Sequence, residues 1–287
     1  MIKLLTHRGL NLEGSSDFTE STYESFDDQL RRGFGLEFDL NFTQDEQIVI
    51  FHDNGLSRIT GMQDQRLFSE MSLAEIKKVK LANGRLCNLQ ELLQLIQTGG
   101  HKVHALHLKG KFQDQKYINI LIGILKEYCG LYDRLIIFDT RIDTAVYMKE
   151  KIPPIKLAPS VAHTYDIERY NKAVDGTLLS INEAINNIKL FDWVWLDEWD
   201  RIDKDGGTKS LYTAEIFNLL RSYKINIALV TPELHATSPN LLGGESHGDA
   251  ETTAKLRKRI EEIVHLKPDA ICTDYPNLVK EIIDKQP

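Results

Sequence analysis

The chain has 287 residues, 42% hydrophobic and 27% charged, which is the composition of an ordinary globular protein large enough to bury most of its surface without staples. Its net charge of -7 argues against a basic face that holds nucleic acid by its phosphates, while leaving room for a local pocket around one phosphate. No apolar run reaches the roughly 20 residues of a membrane helix, so no integral membrane segment is expected.

The first predicted strand, 2–7 (IKLLTH), ends in Thr6-His7-Arg8-Gly9. It lacks the GxGxxG or GxxxxGK[ST] glycines with which a doubly wound sheet binds phosphate at that point. A helical pattern follows at about 22–33. Segments 36–41 (LEFDLN) and 47–52 (QIVIFH) are too close for a helical crossover. The second is therefore predicted to fold back as an antiparallel hairpin strand through Thr43-Gln44-Asp45-Glu46. Helical patterns at 72–81 and 89–98 lead to a strand at 103–109 (VHALHLK), and further strands follow at 134–139, 155–160, 193–197, 225–231 and 269–274. Between and after them lie helical patterns at 114–129, 141–150, 166–174, 181–191, 212–223, 250–265 and 276–285.

Strand then helix, repeated this often, implies a parallel sheet covered by helices. Nine strand candidates less the hairpin leave eight, the number of a closed α/β barrel, a (β/α)8 TIM barrel. No linker, low-complexity tract or repeat divides the sequence, so 1–287 is predicted to be a single domain. Cys87, Cys129 and Cys272 form no CxxC pair. Their odd number, and a start too quickly polar for a targeting segment, point to a reduced, cytoplasmic setting. The Asn41-Phe42-Thr43 triplet lies in a strand and carries no weight as a glycosylation site.

In a strand, alternate side chains face opposite ways. Segment 36–41 therefore separates Leu36, Phe38 and Leu40 from Glu37, Asp39 and Asn41. In a barrel the apolar set meets the helices and the acids point inward, where carboxylates need a positive partner. Two carboxylates at i and i+2 near the end of a strand suit a hard divalent cation. The plainer alternative is a half-exposed strand with its charges in water. His7 and Arg8 end the first strand, at the face where barrel active sites assemble, and His52-Asp53 ends the hairpin strand. Two imidazoles near one mouth supply a general acid and a general base, and Arg8 offers a planar fork for phosphate.

His101, His104 and His107 recur every third residue, but on a strand they do not converge. His107 and Lys109 share a face that can point into the mouth, and His104 is expected on the surface. Asp203-Lys204-Asp205-Gly206-Gly207 fails the register of a calcium loop and is read as a turn. Trp193 and Trp195 are expected to face the helices as core residues, which leaves Trp199 as the candidate to stack on a ligand.

Taken together these motifs resemble the glycerophosphodiester phosphodiesterase family. The resemblance rests on His7-Arg8-Gly9, Glu20-Ser21-Thr22 before a helix, Glu37-Phe38-Asp39, His52-Asp53, and Thr273-Asp274-Tyr275-Pro276. These motifs, in order and near both ends, spread it over nearly the whole chain. It implies a TIM barrel and a metal-dependent hydrolysis of a glycerophosphodiester to a phosphomonoester, such as glycerol 3-phosphate, and an alcohol. It further implies His7 and His52 as acid and base, Arg8 and Lys109 on phosphate, Glu37 and Asp39 on magnesium or calcium, and Glu20 as a brace for Arg8.

The chain also departs from the family pattern. Where the family has Glu-x-Lys, this chain has His107-Leu108-Lys109. His107 as third ligand leaves two negative charges around the cation and tilts preference toward manganese or zinc; Glu198 or Glu233 are the alternative donors. Leu229-Val230-Thr231-Pro232-Glu233-Leu234-His235 replaces a Trp-Thr stretch. The loop 232–249, with Leu234, Leu241 and Leu242, is expected over the site. Rival readings are a lysophospholipid or phosphoglycerol-polymer phosphodiesterase, a metal-dependent hydrolase of another bond, and a non-catalytic phosphate-ligand-binding pseudoenzyme. The sequence sets neither the oligomeric state nor which histidine is the acid.

Overall fold

In the computed structural model residues 2–13, 18–100, 103–234 and 247–286 are described. Eleven strands occur among them. β1 (Lys3–His7) runs parallel between β2 (Gly35–Phe42) and the last strand, β11 (Ala270–Thr273). β2 pairs with β4 (His104–His107), β4 with β5 (Leu135–Phe138), and β5 with β6 (Lys156–Leu157). On the other side β11 pairs with β10 (Asn226–Val230), then β9 (Trp193–Leu196), then β7 (Ser160–Val161). β6 and β7 belong to one extended segment, 156–161, so the two ends of the strand order meet there and the sheet curls into a barrel. Counting that segment once gives the eight parallel staves expected from the sequence.

β3 (Ile48–Ile50) lies off this path and pairs antiparallel with β2, Leu40 opposite Ile50 and Phe42 opposite Ile48. It is the predicted hairpin strand, and Glu46 in its turn takes a left-handed φ of 59°. A further two-residue strand, β8 (Leu178–Leu179), pairs with β7 and was not anticipated.

The helices follow the amphipathic patterns. α1 (Tyr23–Arg31) starts on Thr22, whose hydroxyl accepts from Ser25 N while Ser25 Oγ returns the bond, a capping box that satisfies two orphan donors. α2 (Leu73–Ile76) is much shorter than the predicted 72–81. Residues 51–86 instead fold onto a small apolar cluster of their own: Val49, Phe51, Leu56, Phe68, Met71, Ile76 and Leu86. α3 (Leu89–Thr98), α4 (Gln115–Glu127), α5 (Ile142–Lys151), α6 (Thr164–Tyr170), α7 (Ile181–Asn186), α8 (Ala214–Ser222), α9 (Thr253–His265) and α10 (Pro276–Asp284) complete the cover. No helix among the described residues is long and apolar enough to cross a membrane.

Two apolar layers sandwich the sheet. The outer one joins Leu36, Phe38, Leu40, Leu106 and Leu108 to helix residues such as Phe26, Leu92 and Leu121. The inner one fills the barrel with Leu5, Ile136, Phe138, Trp193, Trp195, Val230 and Cys272, among four alanines, Ala105, Ala158, Ala228 and Ala270. The two tryptophans thus face the barrel interior, not the helices as their strand had suggested. The reason is volume: the four alanines leave room inside, which the two indoles fill. His104 also departs from expectation. It is fully buried on the helix side of β4, where its Nδ1 accepts a hydrogen bond from Leu36 N at 3.2 Å, and burial pushes the ring down to about 3, keeping it neutral. His101 lies outside the described residues. The 203–207 segment is a turn closed by Asp203 N to Gly207 O at 2.8 Å.

Candidate active site

The C-terminal ends of β1, β2 and β4, together with the exit of hairpin strand β3, converge on one mouth. His7 is the last residue of β1, and the chain turns sharply after it because Arg8 and Gly9 both take left-handed φ, 54° and 70°. For an arginine that conformation costs about 1–3 kcal/mol and persists only when its surroundings impose it. Here Arg8 N donates to Glu37 O at 3.1 Å, and Arg8 O accepts from Ser21 N at 2.8 Å. The turn buries the guanidinium: Nη1 lies 3.4 Å from Glu20 Oε2, and Nε lies 3.6 Å from Asp39 Oδ2. Glu20 therefore braces Arg8, as expected, and is itself bonded to Arg58.

Strand alternation in β2 aims Glu37 and Asp39 inward, where they are almost fully buried. Asn41, next on that face, donates from Nδ2 to Phe51 O at 2.6 Å and Asp53 O at 2.8 Å, which fixes the end of the hairpin. His52 leaves that end with its Nδ1 2.8 Å from Asp53 Oδ1, and Asp53 accepts from Arg58 Nε at 2.6 Å. On β4, His107 Nδ1 lies 2.9 Å from Asp39 Oδ1. Lys109 donates to His52 O and lies 3.4 Å from Asp39 Oδ1. The ring of His107 stacks on Phe138 at 4.8 Å, and Phe138 stacks on Trp195 at 3.9 Å.

A cavity of about 140 Å³ results, with His7, Arg8, Glu37, Asp39, His52 and His107 on its polar side. Phe138, Trp195, Trp199, Val230, Leu234 and Cys272 line the other side. Lys109 faces an adjoining cavity that shares His52 and His107. Six of the seven residues singled out from the sequence thus line one cavity and the seventh borders it. Leu234 lines it as well; His235, Leu241 and Leu242 lie outside the described residues.

Two acids of the site were missed or under-read in the sequence. Asp139 follows β5, again with a left-handed φ of 64°, and its Oδ2 lies 3.3 Å from His107 Nε2. Its only signal was a carboxylate at the C-terminal end of a barrel strand. Asp274, fully buried after β11, holds His7 Nδ1 at 2.9 Å through Oδ1. By contrast, neither alternative oxygen donor joins the Glu37–Asp39 cluster. Glu198 is consumed by Leu211 N at 2.7 Å, Tyr212 N at 3.2 Å and Arg259 at 2.5 Å. Glu233 Oε1 accepts from Thr231 Oγ1 at 2.6 Å, Thr273 Oγ1 at 2.7 Å and Asp274 N at 3.1 Å.

Burial, reinforced by the neighbouring Asp39 charge, pushes Glu37 up to about 7. Burial also acts to raise Asp39, but Lys109, His52 and His107 outweigh it and hold this carboxyl well below the usual range. His52 is driven down to about 3, chiefly by burial, and is therefore neutral near pH 7. For His107, bonds to Asp139 and Asp39 overcome the opposing effect of burial and raise the ring to about 9.

These groups fit a divalent cation. Glu37, Asp39 and His107 each offer a ligand atom, all within 4.8 Å of one another. Asp39 Oδ2 is buried and accepts no hydrogen bond, with Arg8 Nε standing 3.6 Å away, so this oxygen has lone pairs to offer an ion. Two carboxylate oxygens and an imidazole nitrogen are ordinary donors for such an ion.

The family model for the glycerophosphoryl diester phosphodiesterase family matches residues 7–278. The chain belongs to this family. It is 28% identical over 166 residues to a glycerophosphodiester phosphodiesterase of Caldanaerobacter subterraneus, covering 54% of this chain and 64% of that protein. A human lysophospholipase D, GDPD3, is 26% identical over 137 residues, covering 44% of this chain and 41% of that protein. These matches span less than two thirds of either relative. Among solved structures, a phosphodiesterase of Oleispira antarctica in complex with its product sn-glycerol-3-phosphate superposes with a TM-score of 0.65. That alignment covers 99% of this chain and 97% of the other at 17% identity, a shared TIM-barrel fold.

Proposed function

We propose that this chain, acting as one unit and in a cytoplasmic setting, is a metal-dependent phosphodiesterase. Its substrate is a small glycerophosphodiester, which it cleaves to a phosphomonoester such as glycerol 3-phosphate and an alcohol. The observation that carries this reading is the single cavity bearing two carboxylate-braced histidines, a buried arginine and a carboxylate pair. Family membership and the product-bound fold neighbour support the same substrate class.

Arg8 and Lys109 bind and orient the phosphate oxygens, and Arg8 is preset for this by its strained, clamped backbone. Each histidine presents Nδ1 to a carboxylate, which only accepts, so in the neutral ring the proton sits on Nδ1 and Nε2 carries the lone pair. His52, neutral by burial, is assigned as the proton acceptor from the attacking hydroxyl, either water or an adjacent substrate hydroxyl. His7, acting as the imidazolium with its Nδ1–H held by Asp274, is assigned to give its Nε2 proton to the leaving alkoxide, and the proton gained by His52 restores the balance when the products leave. Glu37, Asp39 and His107 would hold magnesium, calcium, manganese or zinc, which when bound supplies positive charge to the phosphoryl oxygens. Phe138, Trp195, Trp199, Val230 and Leu234 give the reacting site one apolar side.

That apolar wall also favours a second reading of the substrate, a lysophospholipid, for which the human relative's name gives additional support. The test is hydrolysis of a glycerophosphodiester and a lysophospholipid in EDTA, then with each of the four metals restored, for the native chain and His52→Ala. Metal-dependent turnover lost in His52→Ala is expected. Turnover that survives that substitution removes the acid–base assignment, and none with any metal indicates a binding module.

A further inference from the structure

Asp139 stands on a clamped backbone. Gln113, itself buried, donates from Nε2 to Asp139 O at 2.7 Å and to Leu108 O at 2.8 Å, so one amide ties the exit of β5 to the exit of β4. Arg141 N, two residues on, donates to the same glutamine's Oε1 at 2.9 Å. The left-handed turn at Asp139 directs its carboxylate at His107. The imidazole therefore lies between two acids, Nδ1 facing Asp39 at 2.9 Å and Nε2 facing Asp139 at 3.3 Å, with its plane set within 13° of the Phe138 ring. Each nitrogen faces a carboxylate, which only accepts, so both carry protons until a cation takes the place of the one on Nδ1; the ring then has one lone pair, on the nitrogen set by the partner of the other.

We propose that Asp139 is a positioning residue of the cation site, keeping the His107 proton on Nε2 so that Nδ1 is the ligand beside Glu37 and Asp39. It also restores a third carboxylate to the cluster, the negative charge that histidine at 107 had appeared to remove. The inference rests on the reading of Glu37, Asp39 and His107 as a cation site. A carboxylate behind a metal-bound histidine fixes its tautomer and strengthens it as a ligand, and losing such a partner weakens affinity about 10- to 100-fold.

The experiment is calorimetric titration of the whole chain with manganese ion alone, for the native protein, Asp139→Asn and Asp139→Gly, each also in a His107→Glu background. Both substitutions tolerate a left-handed φ. Melting in EDTA checks that each variant folds, and Asp139→Asn carries the test if the glycine variant does not. The glycine variant is expected to bind manganese at least about tenfold more weakly, and asparagine, whose oxygen still accepts without charge, to fall between. With Glu at 107 there is no imidazole to orient, so Asp139→Gly removes only a nearby charge and weakens binding by much less than in the native background. Native binding with no loss in either variant, or an equal loss in both backgrounds, overturns the positioning role alone. A native chain that binds none of manganese, magnesium or calcium overturns the cation site and this inference with it.

Discussion

Replacing Asp274 with asparagine keeps the shape of a completely buried side chain and removes its charge. Its Oδ1 holds His7 Nδ1 at 2.9 Å, a bond from ring to carboxylate in which both groups are out of water. A hydrogen bond to a charged group contributes about 1.5–3 kcal/mol and a neutral one about 0.5–1.5 kcal/mol, a difference of roughly 1–1.5 kcal/mol. Expressed as orientation of the ring proposed as proton donor, that is about a 5- to 13-fold fall in kcat/KM. If the amide instead turns its NH2 toward His7 the wrong tautomer is fixed, and the analogous exchange in a Ser-His-Asp triad costs about 10⁴ in kcat. Stability should move the other way. Asp274 Oδ2 has no hydrogen-bond partner, and burial together with the Asp274 charge raises the nearby Glu233 carboxyl. Asparagine relieves that repulsion, so Tm holds or rises. The assay pairs steady-state hydrolysis of a glycerophosphodiester with thermal melts. Unchanged kcat/KM would show that Asp274 does not orient a working histidine, and a drop in activity matched by a drop in Tm would make its role structural.

Glu37→Gln tests the carboxyl raised to about 7. A group whose folded pKa lies above its unfolded value stabilises fully below the unfolded pKa and loses that contribution as pH rises through the folded one. In EDTA, the Tm of the native chain relative to Glu37→Gln should therefore fall between about pH 4.5 and 7, as followed by melts across that range. His107→Glu should increase dependence on magnesium or calcium relative to manganese, read from activity titrations with each metal; no change would remove His107 from the ligand set. Gly35→Ala should destabilise without touching the site, because a Cβ there would sit 2.0 Å from Val103 O and 2.7 Å from Leu5 Cδ2. Overpacking of this kind costs about 1–3 kcal/mol or more, which a urea denaturation midpoint will show.

The site was largely legible because it is built on strands. Period-2 alternation separates Glu37 and Asp39 from Leu36, Phe38 and Leu40 whatever the fold, and an acidic face inside a barrel demands a cation. The same alternation paired Trp193 with Trp195 but could not say which face was inside, since that depends on alanines contributed by four other strands. His104 was misplaced because a buried imidazole can be satisfied by one backbone N–H, here from Leu36, and a neighbour 68 residues away leaves no local signal. Asp139 escaped for a related reason. A lone acid after a strand reads as a solvated cap until barrel closure sets it opposite His107. The segment 54–71 shows neither helical nor strand periodicity, because it packs as turns and one short 3-10 helix over its own apolar cluster.

The proposed activity is cleavage of a phosphodiester in the cavity between His7 and His52 with the help of a bound divalent cation. Phosphorus NMR of a glycerophosphodiester incubated with the metal-loaded chain tests it most directly. The diester resonance should be replaced by a phosphomonoester, EDTA should stop the conversion, and His52→Ala should slow it by about 10²–10⁴. A diester signal that persists with every metal, or that disappears equally fast in His52→Ala, would contradict it.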